Sequence, residues 1–236
     1  MGVSIMDISK RHFLTGCGTL IAGFSIYSVA KELAESEAGV SVDQTQTIKY
    51  AMVHDENLCI GCNACEQACR QVNHVPDGVS RVVINRTGPF GEYPDQSYRF
   101  SRKSCQHCED APCVKVCPTG AAYIDSETGI VGVNPDKCVG CQYCIAACPY
   151  QVRFINPVTQ TADKCDFCRE TQLKLGKQPA CVEACPTHAL VFGNIRDPES
   201  ELVKTLKSKP TYRAKTDLGT RPKLFHVSTI DGEIVL

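Results

Sequence analysis

Short apolar runs, each bounded by polar turns, recur along most of the 236-residue chain and alternate with loops that are rich in cysteine. Runs of this kind are typical of β-strands. A polar turn at Ser126–Gly129 separates two of the runs and so predicts a β-hairpin. The pattern predicts a repeated plan, in which a strand leads into a cysteine loop, a short helix follows the last cysteine, and another strand comes next. The predicted strands are Tyr50–His54, Ala122–Ile124, Ile130–Val133, Val152–Ile155 and Leu190–Phe192.

Two longer segments depart from this plan. Residues 70–104 contain alternating valine and isoleucine, together with prolines and glycines, and predict an inserted hairpin with a long loop. This hairpin has two alternative interpretations, a lid over the core or a docking surface for a partner. Residues 196–236 contain no cysteine and predict a short helix at Glu199–Ser208. The rest of that segment is interpreted as an extended arm that lies on the core or on a partner.

The first thirty residues have the features of an export signal. A basic pair, Lys10 and Arg11, precedes a mildly apolar run that ends in small residues. The segment resembles a twin-arginine signal in which Lys10 replaces one arginine. We therefore expect an export signal over residues 1–30 and a linker over 31–47; an uncleaved membrane anchor is the alternative. Cys17 is then part of a discarded peptide and has no role.

Charge and composition exclude several classes of protein before any motif is considered. The chain has 25 Lys and Arg against 26 Asp and Glu, a net charge of -1. This balance does not favour nucleic-acid binding or an acidic disordered tail. A hydrophobic content of 43% is ordinary for a globular protein, but 17 cysteines are not. Disulfides, zinc and iron–sulfur clusters all use cysteine at this density, and the spacing decides among them.

Sixteen of the 17 cysteines fall into four groups of four, and the spacing within the groups repeats. Groups one and three read C-x2-C-x2-C-x3-C, whereas group two widens the middle gap to four residues and group four to twelve. Pro118, Pro149 and Pro186 follow the last cysteine in groups two, three and four, and Arg70 follows it in group one. The groups are Cys59, Cys62, Cys65 and Cys69; Cys105, Cys108, Cys113 and Cys117; Cys138, Cys141, Cys144 and Cys148; and Cys165, Cys168, Cys181 and Cys185.

This spacing is the bacterial ferredoxin pattern. Three cysteines two residues apart wrap three corners of a 4Fe–4S cluster, and the fourth, three residues on, binds the other cluster of a pair. Cys148 is therefore predicted to serve a neighbour of the cluster that Cys138, Cys141 and Cys144 hold.

Zinc and disulfides are weaker alternatives. Group four alone fits a zinc site, but three thiols at two-residue spacing crowd a single tetrahedral ion. An even number of cysteines permits disulfides, yet bridges within C-x2-C tend to be catalytic or labile rather than structural. Four repeats of one cluster signature favour iron–sulfur.

No catalytic apparatus is recognisable in the sequence. It lacks a C-x-x-C-H haem motif, a phosphate loop and a dinucleotide fingerprint. We interpret His107 and His188 as residues beside a cluster or on the surface rather than as ligands, and His54, His74 and His226 have no constellation around them. The sequence thus predicts a protein that conducts electrons and is not itself an enzyme.

Basic residues flank the cysteine loops. A cation near a reduced, more negative cluster stabilises the added electron and raises the potential. We hypothesise that some of these side chains tune the clusters, with a solubilising surface role as the alternative for any single one. They are Arg102, Lys103, Lys115, Lys137, Arg153, Lys164 and Arg169.

Five stretches carry a resemblance to a known family, and they cover most of residues 50–225. They are MVHDENLCIGCNAC, RKSCQHCEDAPCVKVCPTG, CVGCQYCIAACPYQVRFINPVTQTADKCDFCR, PACVEACPTHAL and KPTYRAKTDLGTRPKLF. The four motifs, with a loosened group two and a split group four, resemble the iron–sulfur electron-transfer subunits of the dimethyl sulfoxide and polysulfide reductase type. Within that set, the sequence is most similar to the iron–sulfur subunits of the formate-dependent cytochrome c nitrite reductase system.

The resemblance implies how the cysteines are shared, with group one paired to group four and group two to group three. It implies four 4Fe–4S clusters. Together with the repeated plan, it implies an α+β fold of two ferredoxin-like pseudo-twofold units over residues 48–195, with 105–164 as the inner two-cluster unit. The implied ligand sets are Cys59, Cys62, Cys65 and Cys185; Cys165, Cys168, Cys181 and Cys69; Cys105, Cys108, Cys113 and Cys148; and Cys138, Cys141, Cys144 and Cys117.

The resemblance also implies partners and a location. Electrons would come from a multi-span membrane subunit that oxidises quinol and pass to a periplasmic multihaem c-type cytochrome that feeds nitrite reduction to ammonium. The protein would lie in the periplasm, peripheral to the outer face of the cytoplasmic membrane. Nucleic acid is not among the expected partners. Because cluster ligands fold only around their metal, export in the folded state is expected. The alternative within this class is a molybdopterin reductase subunit of the dimethyl sulfoxide, polysulfide or tetrathionate type.

Overall fold

The computed structural model describes residues 48–229. The expected export signal, the linker and Cys17 lie outside the described residues, so those expectations stay predictions. Within residues 48–229, no helix combines the length and the apolar character that a membrane crossing requires.

A four-stranded sheet forms the centre of the described residues, and its strand order is β8–β1–β10–β9. β1 pairs in parallel with β10 and antiparallel with β8, so the first described strand and the last lie side by side. Ala51, Met52 and Val53 of β1 are fully buried, because helices and loops cover both faces of this strand. The strands are β1 Tyr50–Asp55, β8 Leu190–Asn194, β9 Thr211–Tyr212 and β10 Leu224–Val227.

Three two-stranded ribbons complete the strands of the described residues. The ribbon of β4 and β5 confirms the hairpin predicted around Ser126–Gly129, where Gly129 N–H donates to Asp125 O at 2.9 Å. The ribbon of β2 and β3 confirms a hairpin within residues 70–104. The prediction at Val152–Ile155 holds for its second half alone, and the partner strand β7 was not predicted. The strands are β2 Val82–Phe90, β3 Ser97–Ser104, β4 Ala122–Ile124, β5 Val131–Val133, β6 Phe154–Ile155 and β7 Ala162–Asp163.

Four of the five α-helices in the described residues contain cysteines, and the prediction that the short helices follow the last cysteine is wrong. In groups two, three and four, each helix holds the third cysteine and ends before the fourth. The proline after the fourth cysteine explains this, since it lacks an N–H donor and disfavours helical backbone before it. In group one Arg70 replaces that proline, and the helix continues to Val72. The helices are α1 Ala64–Val72, α2 Pro112–Lys115, α3 Tyr143–Ala146, α4 Ala180–Glu183 and α5 Glu201–Ser208.

The C-terminal segment is integrated more deeply than an arm lying on a core. β10 occupies an interior position in the central sheet, between β1 and β9. Its residues Leu224 and Val227 are buried, as is usual for core positions in a strand. The helix predicted at Glu199–Ser208 is present as α5. It packs on β1 and β8 through Leu202, which is fully buried.

Replacement of Leu202 by alanine is expected to destabilise the fold strongly. Leu202 packs with Ala51, Val53 and Val227 under the central sheet. A buried Leu→Ala change costs about 2–5 kcal/mol, because the cavity it leaves collapses only partly. The check is the guanidinium midpoint of anaerobic, cluster-loaded protein. Leu218→Ala, at a side chain that is 50% exposed, is the matched control and should leave the midpoint nearly unchanged.

Candidate iron–sulfur centres

Two cavities each lie among four cysteines. Each cavity brings three cysteines of one group together with the last cysteine of another. The first is lined by Cys59, Cys62, Cys65 and Cys185. The second is lined by Cys138, Cys141, Cys144 and Cys117.

The last cysteine of group one lies beside the cysteines of group four. Asn73 links them, because its Nδ2 donates to Cys168 Sγ at 3.3 Å and is 3.6 Å from Cys69 Sγ. Burial, followed by the nearby Cys181 and Cys168 thiols, raises the pKa of Cys69 to about 12. No motif pointed to Asn73 beforehand, since only the fold brings the end of α1 to the group-four loop.

The last cysteine of group three lies beside the cysteines of group two. Burial raises the pKa of Cys108 to about 12, and the neighbouring Cys105, Cys113 and Cys148 contribute in the same direction. Such crowded thiols resist ionisation unless a cation compensates the charge. Iron ions supply that positive charge, so the donor chemistry fits a metal cluster.

Backbone N–H groups point at two of the fourth cysteines. Ala122 N–H donates to Cys117 Sγ and Ala189 N–H donates to Cys185 Sγ, each at 3.3 Å. Although burial raises the pKa of Cys117, hydrogen bonds led by that of Ala122 bring it below its usual value. Both hydrogen bonds arise from the same local sequence, Cys-Pro-Thr, because the turn that follows places a backbone N–H over the thiol.

Two buried arginines have donors that no described residue accepts. Arg102 Nη2 is 3.7 Å from Cys181 Sγ, while its Nη1 has no partner in the described part of the chain. Arg153 lies in the wall of the second cavity, and within residues 48–229 neither of its Nη atoms makes a hydrogen bond. Buried charged donors without acceptors are costly. Cluster sulfides and cysteine thiolates are acceptors, so these orphaned donors fit iron–sulfur clusters at the cysteine sets.

Each of the two arginines lies among the thiols of two cysteine groups. Arg102 is surrounded by thiols of groups one and four, namely Cys181, Cys165, Cys65 and Cys69, which raise its pKa although burial lowers it. Arg153 is placed in the same way among Cys113, Cys105 and Cys144 of groups two and three, and its pKa is likewise raised. Both side chains therefore stay charged in the interior.

The other five basic residues are not equivalent to these arginines. Lys164 is buried, and its Nζ donates to the carbonyl oxygens of Val131 and Cys165. Arg169 donates to Tyr123 and pairs with Asp125 at 3.1 Å, which gives it a structural role. The remaining three are exposed, as the surface alternative predicts; they are Lys103, Lys115 and Lys137.

The prediction that His54 and His226 stand alone is wrong. They are register partners on β1 and β10, and their ligand atoms lie with those of Glu56 within 4.8 Å of one another. Glu56 accepts from Tyr212 Oη at 2.7 Å and lies 3.8 Å from Arg99 Nε. The Tyr212 hydroxyl therefore donates a hydrogen bond to this carboxylate, and the Arg99 guanidinium neutralises its charge. His74 and His188 are exposed, as a surface interpretation requires.

The first C-x2-C loop of every group has positive φ at its second intervening residue. The residues are Gly61 in group one and Gly140 in group three, but His107 in group two and Phe167 in group four. Only glycine adopts this region without strain, and a side chain there costs on the order of 1 kcal/mol or more. An alignment of the four loops by their cysteines is therefore enough to identify His107 and Phe167 as the two exceptions to glycine at this position.

Comparison with known families agrees with this site. Two family models, each described as a 4Fe–4S dicluster domain, match residues 58–121 and 96–195. The fold and the four cysteine groups therefore define an α+β protein with two ferredoxin-like 4Fe–4S dicluster domains.

This protein belongs to the NrfC family of iron–sulfur proteins. It is 61% identical to "Protein NrfC" of Escherichia coli K12 over 231 residues, which cover 97% of this chain and 99% of that protein. It is 56% identical to a polysulfide reductase subunit of Wolinella succinogenes over 188 residues, 79% of this sequence and 97% of the relative. It is 52% identical to "Thiosulfate reductase electron transfer subunit PhsB" of Salmonella typhi over 170 residues, 71% and 86% of the two sequences.

Proposed function

We propose that the protein is a non-catalytic electron-transfer subunit that holds four 4Fe–4S clusters. The observation that carries the proposal is two cavities, each lined by four cysteines, together with buried arginines whose donors have no acceptor among residues 48–229. A 4Fe–4S cluster supplies one-electron chemistry when it is bound, because it accepts and releases single electrons. The protein supplies thiolates, cations and a largely dry environment.

We infer that each cluster takes three cysteines from one group and the fourth from its partner group, which makes two pseudo-twofold units. Cavities lined by two of these sets support the inference. The proposed ligands are Cys59, Cys62, Cys65 and Cys185; Cys165, Cys168, Cys181 and Cys69; Cys105, Cys108, Cys113 and Cys148; and Cys138, Cys141, Cys144 and Cys117.

The two cysteine sets with exposed members are proposed as the points where electrons enter and leave. Cys62 and Cys141 are exposed, whereas every cysteine of the other two sets is buried or half-buried. Beside them, Ile60 is 59% and Val139 69% exposed. Exposed apolar side chains next to a redox centre suit contact with partners, so each loop would dock one of them.

We propose that the donor is a membrane subunit that oxidises quinol and that the acceptor is a periplasmic multihaem cytochrome in nitrite reduction to ammonium. The near full-length similarity to proteins named NrfC supports this choice. A periplasmic location at the outer face of the cytoplasmic membrane follows from these partners and from the signal-like residues 1–30.

The central expectation is about sixteen iron atoms and sixteen acid-labile sulfides per chain, four of each for each cluster. They would be measured on anaerobically purified protein, whose visible absorption should bleach with dithionite. Zinc in place of iron, with no sulfide, would overturn the proposed function.

A molybdopterin reductase subunit is the second candidate, and the similarity to polysulfide and thiosulfate reductase subunits favours it. Reduced protein should be mixed with a multihaem cytochrome or with a molybdopterin catalytic subunit. Rapid haem reduction with no molybdenum signal supports the first candidate, and the reverse supports the second.

A further inference from the structure

Two buried rings join the cysteine loops of groups two and four. His107 lies in the first C-x2-C loop of group two, and Phe167 lies in the corresponding loop of group four. Their ring centroids are 3.7 Å apart with an angle of 21° between the planes, so the rings are stacked. Both residues are almost inaccessible to solvent, at 0% and 1% exposure. The stack therefore connects a loop of one cysteine set to a loop of another in the protein interior.

The positions of these rings are locally unfavourable. His107 has φ of 46° and Phe167 has φ of 57°, in the left-handed region that favours glycine. The corresponding residues in groups one and three, Gly61 and Gly140, are glycines. A ring is thus present only in the two loops that face each other, despite the strain.

Neighbouring groups hold the rings in place. His107 Nδ1 accepts from Val131 N–H at 3.2 Å, which fixes both the tautomer and the ring orientation. Lys164 Nζ donates to the carbonyl oxygen of the same Val131. Phe192 packs edge-on against Phe167 with the centroids 5.1 Å apart. These contacts hold both rings in the stacked arrangement.

We propose that electrons pass through the His107–Phe167 ring pair between the clusters of groups one and four and the clusters of groups two and three. The proposal rests on the proposed function, in which the loops of Phe167 and His107 belong to different clusters. One electron leaves the reduced centre on one side, which is oxidised, and reduces the centre on the other side. No bond forms or breaks, no proton moves, and the rings keep their own redox state. The contact between the two rings is important because electronic coupling decays faster across empty space than through packed atoms.

The test is Phe167→Gly, which gives the group-four loop the glycine that groups one and three already carry and removes the stack. The cluster-loaded variant and the native protein would be photoreduced with a laser flash, and redistribution of the electron among centres followed by absorption and freeze-quench EPR. We expect full iron and sulfide, unchanged equilibrium potentials, and an internal transfer phase that is slower severalfold.

Two further variants separate the ring from its volume. Phe167→Leu fills the space without a ring and should also be slow, whereas Phe167→His, the residue already present at position 107, should keep much of the native rate. Tyr50→Leu is the control, because it removes the Tyr50–Phe192 stack, at 4.9 Å, from the same core but outside the cysteine loops.

The outcomes distinguish this proposal from the proposed function. If the native protein contains no sulfide, the proposed function fails. If the native protein is loaded and the Gly and Leu variants transfer electrons at the native rate, the ring pair is packing alone and only this proposal is overturned. Should the Gly variant lose iron, the comparison of Leu with His decides, since both keep the cavity filled.

Discussion

Cys148→Ser is expected to abolish or convert the cluster of Cys105, Cys108 and Cys113, and to leave intact the cluster of its own group. Cys148 lies four residues after Cys144, but it is close enough to Cys108 and Cys113 of group two to contribute to the raised pKa of both thiols. Serine is a poorer iron ligand than thiolate, so the variant should lose up to about four irons of the sixteen, one cluster's content. Iron and sulfide analysis with EPR of the reduced protein measures the loss.

Double variants make this expectation sharp. If Cys113 and Cys148 serve one cluster, Cys113→Ser/Cys148→Ser should lose no more than a single cluster. If Cys144 and Cys148 serve different clusters, Cys144→Ser/Cys148→Ser should lose two, and the losses should add. The opposite pattern, additive for Cys113 with Cys148 and shared for Cys144 with Cys148, would show that each group holds its own cluster. The proposed ligand sets would then be wrong.

The spacing of cysteines predicted the chemistry of this protein, but not how the helices lie. In groups two, three and four the helix contains the third cysteine and ends before the fourth, so the last cysteine of a group marks where a helix has ended and not where one begins. The proline that follows the last cysteine in three groups is visible in the sequence. It explains why α2, α3 and α4 are short and why α1, followed by Arg70 in place of proline, is longer.

The sequence did not predict which of the basic side chains beside the cysteine loops are buried. Seven basic residues flank the loops with no local difference among them, yet Arg102 and Arg153 are inside and Lys103 and Lys115 are outside. The difference comes from pairing between distant strands, since alternation along β3 turns Arg102 inward and Lys103 outward. The parallel pairing of β1 with β10 is equally non-local, and so the meeting of His54 with His226 could not be inferred.

Arg102→Gln is expected to lower the midpoint potentials of the clusters proposed on groups one and four. Reduction adds a negative charge, and the buried guanidinium, 3.7 Å from Cys181 Sγ, stabilises that charge. A unit charge several ångströms from the added electron contributes about 2 kcal/mol at an effective dielectric constant near 20. For a one-electron couple this corresponds to a shift on the order of 100 mV. An EPR-monitored redox titration measures it.

The control for this prediction is the adjacent side chain. Lys103→Gln removes the same charge from an exposed position, where solvent screens it, and should shift the potentials far less. Arg102→Lys keeps the charge and should restore most of the native potential. Arg153→Gln should act in the same direction on the clusters of groups two and three, because its guanidinium lies among Cys113, Cys105 and Cys144. Equal shifts for Arg102→Gln and Lys103→Gln would mean that overall charge, rather than a cation buried between two clusters, sets the potentials.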